Sequence, residues 1–166
     1  MSPHDLVLMP TGLRFRGRRF PCSIGRGGLT KQKREGDGAT PVGTHRIAGM
    51  FYRPDRMNAP APWAQTVGPR DLWSDDVNDP AYNMWVRAPH GFSHEALRRP
   101  DPLYDLVLVI DWNWPDAVPS LGSAIFIHQW RRPGYPTEGC IALRRQHLHW
   151  ISQRVDYGTR VIIPAA

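Results

Sequence analysis

Two apolar runs in the second half of the chain decide the fold. Residues 104–111 read Tyr-Asp-Leu-Val-Leu-Val-Ile-Asp, and residues 124–128 read Ala-Ile-Phe-Ile-His. Apolar side chains at consecutive positions are typical of strands that are covered on both faces. The linker between the runs, residues 113–122, is rich in turn residues. We therefore predict that the two runs are central strands of a sheet.

Shorter segments on both sides of these runs extend the predicted sheet. Residues 6–8 indicate a first strand, and Gly17 sits between two short segments that predict a hairpin with a basic outer face. Further strands are predicted near residues 45–48, 82–86 and 159–163. Residues 54–82 contain five prolines and predict a long irregular segment.

One helix is predicted, near residues 145–155. Leu148, Ile151 and Val155 recur there at a helical spacing, and Gly158 follows as a stop signal. A chain of 166 residues with 17 prolines and 15 glycines is typical of one domain with many turns and short strands. We predict a single domain over residues 1–166 that is mainly β with minor α. Its architecture is expected to be a mixed β-sandwich or partly closed barrel.

Charge and composition narrow the classes of partner. The net charge of +6 favours anionic partners such as nucleic acid, an anionic membrane or an acidic cell-wall polymer. The arginines are scattered in pairs and match no recognition motif, so nucleic acid is not expected as a partner. No stretch reaches the roughly 18 apolar residues of a membrane span. Residues 1–10 lack the long apolar core of a signal peptide.

The cysteines and histidines do not form a pattern that binds a metal. Cys22 and Cys140 are too few for a disulfide framework. The chain contains no Cys-x-x-Cys spacing of the kind that holds structural zinc. We expect no metal and no organic cofactor.

The segment Thr137-Glu138-Gly139-Cys140-Ile141-Ala142-Leu143 is the best candidate for catalysis. Gly139 permits a tight turn and keeps the approach to the sulfur of Cys140 open. His128 ends a buried strand twelve residues earlier and is a candidate to take the thiol proton. The N–H groups of Gly139 and Cys140 are a candidate oxyanion hole. The alternative interpretation is structural, with Cys140 as a small buried filler and His128 as a hydrogen-bonded strand end.

Other polar and aromatic residues are weaker candidates. Trp130, two residues after His128, is a candidate for stacking on a sugar or peptide, whereas most of the seven tryptophans are expected to pack in the core. Glu95 and the neighbouring Asp75 and Asp76 are expected to be solvated or capping charges rather than catalytic acids.

Together these motifs resemble the L,D-transpeptidase catalytic domain family (YkuD-type), bacterial cysteine enzymes that act on peptidoglycan stem peptides. In that family a base histidine at a strand end precedes a Ser/Thr-x-Gly-Cys-Ile/Val segment, which corresponds here to His128 and residues 137–141. Residues 33–44 resemble the family's Thr-Pro-x-Gly segment, and residues 122–128 resemble its strand up to the histidine. This chain departs from the commonest form by having Glu138 in place of a second histidine. It also has Gln129 where glycine often follows the base, and Ala142 where arginine is usual.

The resemblance implies acyl transfer through a thioester on Cys140, with His128 as the base and Gly139 in the oxyanion hole. An amine of a second stem peptide would then resolve the thioester and form a cross-link. The residues expected to contact the substrate are Thr137, Glu138, Trp130 and Arg144.

The resemblance also implies a location in the cell envelope or periplasm, although the chain as given shows no export signal. The implied partner is the stem peptide of peptidoglycan, an anionic cell-wall polymer, and the oligomeric state stays open. Two alternatives remain at this point. Water as the acceptor would make the protein an L,D-carboxypeptidase, and loss of chemistry would make it a non-catalytic cell-wall binding module on the same scaffold.

Overall fold

The computed structural model describes residues 2–165, which contain fifteen short strands and one helix. The strands are, in chain order, β1 Leu6–Met9, β2 Gly12–Phe15, β3 Arg18–Phe20, β4 Cys22–Ser23, β5 Leu29–Thr30, β6 Thr40–Pro41, β7 Gly43–Tyr52, β8 Gln65–Thr66, β9 Asp71–Ser74, β10 Trp85–Arg87, β11 His94–Ala96, β12 Leu106–Ile110, β13 Phe126–Gln129, β14 Ile141–Leu143 and β15 Arg160–Ile163. The helix, α1 Arg145–Ser152, lies between β14 and β15.

Ten of these strands form one large sheet that nearly closes on itself. Its order is β3-β2-β1-β15-β7-β12-β13-β14-β4, with β8 paired to β7. The strands at the two ends of this order, β3 and β4, are separated in the chain by Pro21 alone. The chain itself therefore joins the two edges of the sheet. The prediction of a mainly β, partly closed barrel with one helix is confirmed.

The consecutive apolar residues of the two central strands have a direct structural cause. Strand β12 pairs with β7 on one side and β13 on the other, and all five of its residues are buried. Leu106, Leu108 and Ile110 point into one apolar cluster, whereas Val107 and Val109 point into a second cluster on the opposite face. Each face of the sheet is covered, so neither can be polar.

Helix α1 covers the first of these faces. Leu148 and Ile151 pack into the first cluster, together with Val155 just beyond the helix. The helix is shorter than predicted because it ends at Ser152, and Val155 reaches the core from the following turn. No helix within residues 2–165 has the length and apolar character needed to cross a membrane.

A separate three-stranded sheet, β10-β9-β11, covers the second face. Trp73 of β9 packs edge-on against Phe126, and Trp85 of β10 packs against Phe51. The prediction that residues 54–82 are irregular was therefore wrong in part, because β8 and β9 lie there. The strand predicted near residues 82–86 joins this small sheet rather than the large one. The many prolines made the sequence look irregular here, although Trp73 and Trp85 give the small sheet an apolar face.

Candidate active site

The strand register places Cys140 and His128 on one face of the large sheet. Strands β13 and β14 run parallel, with Ile127 opposite Ile141 and His128 opposite Ala142. Continuing this register back by one residue places Cys140 beside Phe126, two positions from His128. Strand geometry then separates the Cα atoms of Cys140 and His128 by about 8 Å. The two side chains are diagonal neighbours on the same face.

The hydrogen bonds of His128 define which ring nitrogen can act as a base. Its Nδ1 lies 2.7 Å from the carbonyl oxygen of Gln129. A carbonyl oxygen only accepts, so Nδ1 carries the proton of the neutral ring and Nε2 keeps a free electron pair. The ring of Tyr104 packs edge-on against the imidazole, with 5.3 Å between the ring centroids. These contacts fix both the tautomer and the orientation of the imidazole.

The thiol of Cys140 is held by two backbone groups in the resting structure. It donates to the carbonyl oxygen of Ala124 at 3.2 Å and accepts from the N–H of Phe126 at 3.4 Å. Burial, together with the nearby negative charge of Glu95, raises the pKa of Cys140 to about 12. Burial also lowers the pKa of His128 to about 4. At neutral pH the resting pair is therefore a thiol beside a neutral imidazole.

The turn before Cys140 requires a glycine. Gly139 has a φ of +137°, and a Cβ at this position would lie 2.8 Å from the carbonyl oxygen of Ala39. The carbonyl oxygen of Gly139 accepts a hydrogen bond from the Thr40 hydroxyl at 2.8 Å. That hydroxyl also accepts from the N–H of Gly25 at 2.9 Å. Thr40 therefore ties the Thr-Pro-x-Gly segment to the turn that carries Cys140.

The Thr137 hydroxyl stabilises the same turn through two hydrogen bonds to its backbone. It donates to the carbonyl oxygen of Cys140 at 2.6 Å and accepts from the N–H of Gly139 at 3.1 Å. The N–H of Gly139, one of the two donors in the predicted oxyanion hole, is thus engaged within the chain in the resting structure. The N–H of Cys140 is the other predicted donor.

A cavity of about 520 Å³ lies over Cys140 and His128. Three of the four residues predicted to contact substrate line it: Thr137, Glu138 and Trp130. Glu138 is exposed and forms an ion pair with Arg26 at 2.7 Å. Arg144, the fourth, is exposed at the residue before α1 and does not line this cavity.

The cavity also holds acidic residues that the sequence did not single out. The expectation that Glu95 and Asp75 are solvated or capping charges was wrong, because both line the cavity and are partly buried. The hydroxyl of Tyr104 donates to Glu95 at 2.6 Å, and burial raises the pKa of Glu95. Asp76 does act as a cap, since it accepts from the backbone N–H groups of Asn78 and Ser93. No local pattern marked Glu95, because a strand pairing between distant segments brings it to the cavity.

Two of the three cations that line the cavity, Lys33 and Arg99, have ion-pair partners within the chain, whereas Arg131 forms no ion pair among the described residues. The Lys33 ammonium is buried and donates to Asp37 at 2.5 Å and to the carbonyl oxygen of Arg34 at 2.6 Å. The Arg99 guanidinium pairs with Asp101 at 2.7 Å and lies over the Tyr104 ring. Within residues 2–165, no group of three or more His, Cys, Asp or Glu residues is arranged to hold a metal ion.

A family model supports the resemblance seen in the motifs. Among solved structures, the chain is similar to an L,D-transpeptidase from Mycobacterium smegmatis, at 16% sequence identity and a TM-score of 0.46. That match covers 97% of this chain and 57% of the other, so this chain spans little more than half the length of that relative. No curated protein matches the chain significantly. A model of the YkuD family, described as the L,D-transpeptidase catalytic domain, matches residues 6–163. Because this match covers nearly the whole chain, the chain belongs to the YkuD family of L,D-transpeptidase catalytic domains.

Proposed function

We propose that this protein is a cysteine-dependent L,D-transpeptidase that cross-links peptidoglycan stem peptides through a thioester on Cys140. One observation carries the proposal. His128 lies on the same face as Cys140, beneath one cavity, with Nδ1 bonded to Gln129 and Nε2 free to accept a proton.

The first half of the reaction forms the acyl-enzyme. The substrate carbonyl carbon of an L,D-peptide bond approaches Sγ of Cys140, and the thiol proton passes to Nε2 of His128 as the S–C bond forms. Because the resting pair is neutral, this transfer accompanies the attack rather than preceding it. The N–H of Cys140 is the donor that we assign to the oxyanion. The C–N bond then breaks, and His128 returns the proton to the leaving D-amino acid.

The second half resolves the thioester. The amine of a second stem peptide attacks the thioester carbon, the C–N bond forms, and the S–C bond breaks. Nε2 of His128 takes the proton that the amine loses as the C–N bond forms and delivers it to the departing sulfur, which restores the thiol. Water in the place of the amine would give hydrolysis. The basic net charge of +6 suits an anionic polymer as substrate, and we place the reaction in the cell envelope, where that polymer lies.

Mass spectrometry of the products tests the proposal. The protein is incubated with purified disaccharide-tetrapeptide, in parallel with Cys140→Ala and with Cys22→Ala as the matched cysteine control. We expect cross-linked dimers and an acyl-enzyme adduct on Cys140, both absent from Cys140→Ala and present in Cys22→Ala. Tripeptide without dimer would identify a carboxypeptidase. Binding without any product or adduct would contradict the enzyme and favour a wall-binding module.

A further inference from the structure

The hairpin of β2 and β3 and the helix α1 carry positive charge without any acidic residue nearby in the chain. Residues 6–34 and 139–155 contain no Asp or Glu. The two segments meet where Phe20 of β3 packs against His147 and Trp150 of α1. Six arginines on the hairpin and beside the two ends of α1 form no ion pair within residues 2–165, and we call them the basic edge: Arg14, Arg16, Arg18, Arg19, Arg144 and Arg154.

Two arginines of the basic edge oppose each other across the hairpin. In the pairing of β2 with β3, Arg14 lies directly opposite Arg19. Like charges at directly opposed positions destabilise a sheet, because their side chains lie close together on one face. The Arg19 guanidinium donates to the Thr11 hydroxyl at 3.1 Å, a contact that does not neutralise its charge. An anion from outside the chain would relieve this repulsion.

The indole ring of Trp150 holds a second pair of arginines. The guanidinium groups of Arg18 and Arg154 lie 4.7 Å and 4.2 Å from the centroid of this ring. Arg154 also donates to the carbonyl oxygen of Trp150 at 3.0 Å. The two guanidinium groups therefore lie within roughly 9 Å of each other, about the range of charge repulsion at physiological salt. Their attraction to the ring fixes them in place, and planar guanidinium groups bind phosphate oxygens in pairs.

The basic edge presents charge on both faces of one strand. Arg18 and Arg19 are consecutive in β3, the last strand of the large sheet, so their side chains point to opposite faces. Arg14 shares the face of Arg19, whereas Arg154 lies with Arg18 beside α1. A small ligand bound on one face would not contact both groups. An extended anionic surface that approaches β3 from its edge would contact both.

An exposed methionine beside these arginines favours a membrane over a soluble polyanion. Met9 lies opposite Gly12 in the pairing of β1 with β2, which places it on the same face as Arg14 and Arg19. Met9 is 41% exposed. The phosphates of a bilayer cover an apolar layer, which accepts apolar side chains that lie beside basic ones. A soluble polyanion has no such layer.

Contact along the basic edge does not occupy the cavity of the candidate active site. None of its six arginines lines that cavity. Trp150 packs against the first apolar cluster, whereas Cys140 belongs to the second cluster, on the opposite face of the large sheet. A protein docked through the basic edge therefore keeps its cavity free for substrate.

We propose that the basic edge is a docking surface for an anionic phospholipid bilayer, with its arginines on the headgroup phosphates and Met9 against the apolar layer beneath them. The inference goes beyond the proposed function and does not depend on it, because neither Cys140 nor His128 takes part. Each arginine near an anionic bilayer strengthens binding about fivefold. Added salt weakens the attraction by screening it.

Sedimentation of the purified full chain with lipid vesicles tests the proposal. Vesicles of phosphatidylglycerol and phosphatidylcholine are compared with vesicles of phosphatidylcholine alone. The edge variants are Arg18→Gln/Arg154→Gln and Arg14→Gln/Arg19→Gln. The matched control is Arg34→Gln/Arg132→Gln, which removes the same charge from two exposed arginines that are outside the basic edge and do not line the cavity. We expect binding to the anionic vesicles to fall about tenfold or more in each edge variant, and to stay within about threefold in the control.

Two measurements guard against edge variants that fail to fold. The Arg14→Lys/Arg19→Lys variant keeps both charges and should bind the anionic vesicles within about threefold of the wild type. Binding of the wild type itself should fall about tenfold or more when sodium chloride is raised from about 0.1 M to about 0.5 M.

Linear polyphosphate distinguishes a bilayer from a soluble polyanion. Met9→Gln should weaken binding to the anionic vesicles about threefold or more, since a polar side chain loses the apolar layer. The same substitution should leave binding to polyphosphate unchanged. Tighter binding to polyphosphate than to the vesicles at equal phosphate concentration would overturn the assignment to a bilayer.

Equal binding to neutral and anionic vesicles would also overturn the inference, as would an equal loss in the Arg34→Gln/Arg132→Gln control. The Cys140→Ala protein should bind the anionic vesicles like the wild type. Docking that persists without any acyl-enzyme in the wild type would defeat the proposed function and leave this inference standing.

Discussion

The Nδ1 atom of His128 lies 2.7 Å from the carbonyl oxygen of Gln129, the residue that follows it in the chain. This bond uses a backbone carbonyl group, so the tautomer of the imidazole depends on no second side chain, while the Tyr104 ring packs against it. Replacement of the usual glycine after the histidine by Gln129 is compatible with this arrangement, because the contact uses only the carbonyl group. The free Nε2 is the feature on which the proposed chemistry depends.

Substitution of the base is expected to remove most of the activity. We predict that His128→Gln lowers the rate of acyl-enzyme formation by about 10²–10⁴-fold, the usual contribution of a positioned general base. Single-turnover mass spectrometry of the Cys140 adduct measures this rate. The comparison protein is Tyr104→Phe, which keeps the ring that packs on His128. Its rate shows how far a change in the packing around the imidazole alone affects acylation. A rate in His128→Gln within a few-fold of the wild type would show that another group accepts the proton.

The thiol of Cys140 is expected to be slow toward alkylation at neutral pH. Because burial raises its pKa to about 12, the thiolate fraction, and with it the rate of reaction with iodoacetamide, should rise about tenfold per pH unit from pH 7 to pH 10. The measurement uses a Cys22→Ala background, since burial also raises the pKa of Cys22, to about 11. A rate that levels off below about pH 9 would show that the resting thiol is already activated.

Stability should fall in mildly acidic solution because of the buried imidazole. The pKa of His128 drops from its ordinary 6.5 to about 4 in the folded protein. As the pH falls, the unfolded chain therefore binds a proton at a higher pH than the folded protein does. The contribution of His128 to the free energy of unfolding, present above pH 6.5, is lost as the pH falls to 4. At about 1.4 kcal/mol per pH unit, the loss attributable to this group approaches about 3 kcal/mol.

Denaturant unfolding of the wild type and His128→Gln at pH 7 and pH 4.5 measures this loss. Burial also lowers the pKa of His45, so the His128→Gln variant should retain part of the pH dependence of stability. An identical pH dependence in the two proteins would contradict the assignment to His128.

The sequence predicted much of the core and the proximity of Cys140 and His128, but not that Glu95 and Asp75 line the cavity over them. Strands β12 and β13 and helix α1 follow local apolar periodicity, and Cys140 and His128 stand in a local motif. Glu95, in contrast, reaches the cavity only because β11 pairs with β9 around Trp73. Such pairing between distant segments leaves no trace in the few residues around Glu95. The hydrogen bonds of Thr137 and Thr40 were not predicted either. Thr137 was predicted to contact substrate, and Thr40 bonds to a residue ninety-nine positions away in the chain.

The Thr40 hydroxyl should be critical because it fixes the backbone of the turn before Cys140. It donates to the carbonyl oxygen of Gly139 and accepts from the N–H of Gly25, and Thr40 is fully buried. Thr40→Val keeps the shape of the side chain but leaves both backbone groups without this partner, which should lower the free energy of unfolding by about 1–3 kcal/mol. The rate of acylation should fall more steeply than stability, since the direction of the Cys140 sulfur depends on this turn. Thr40→Ser retains the hydroxyl and should recover most of the rate despite its lost methyl group. If Thr40→Ser is as slow as Thr40→Val, packing of the methyl group rather than the hydrogen bonds positions Cys140.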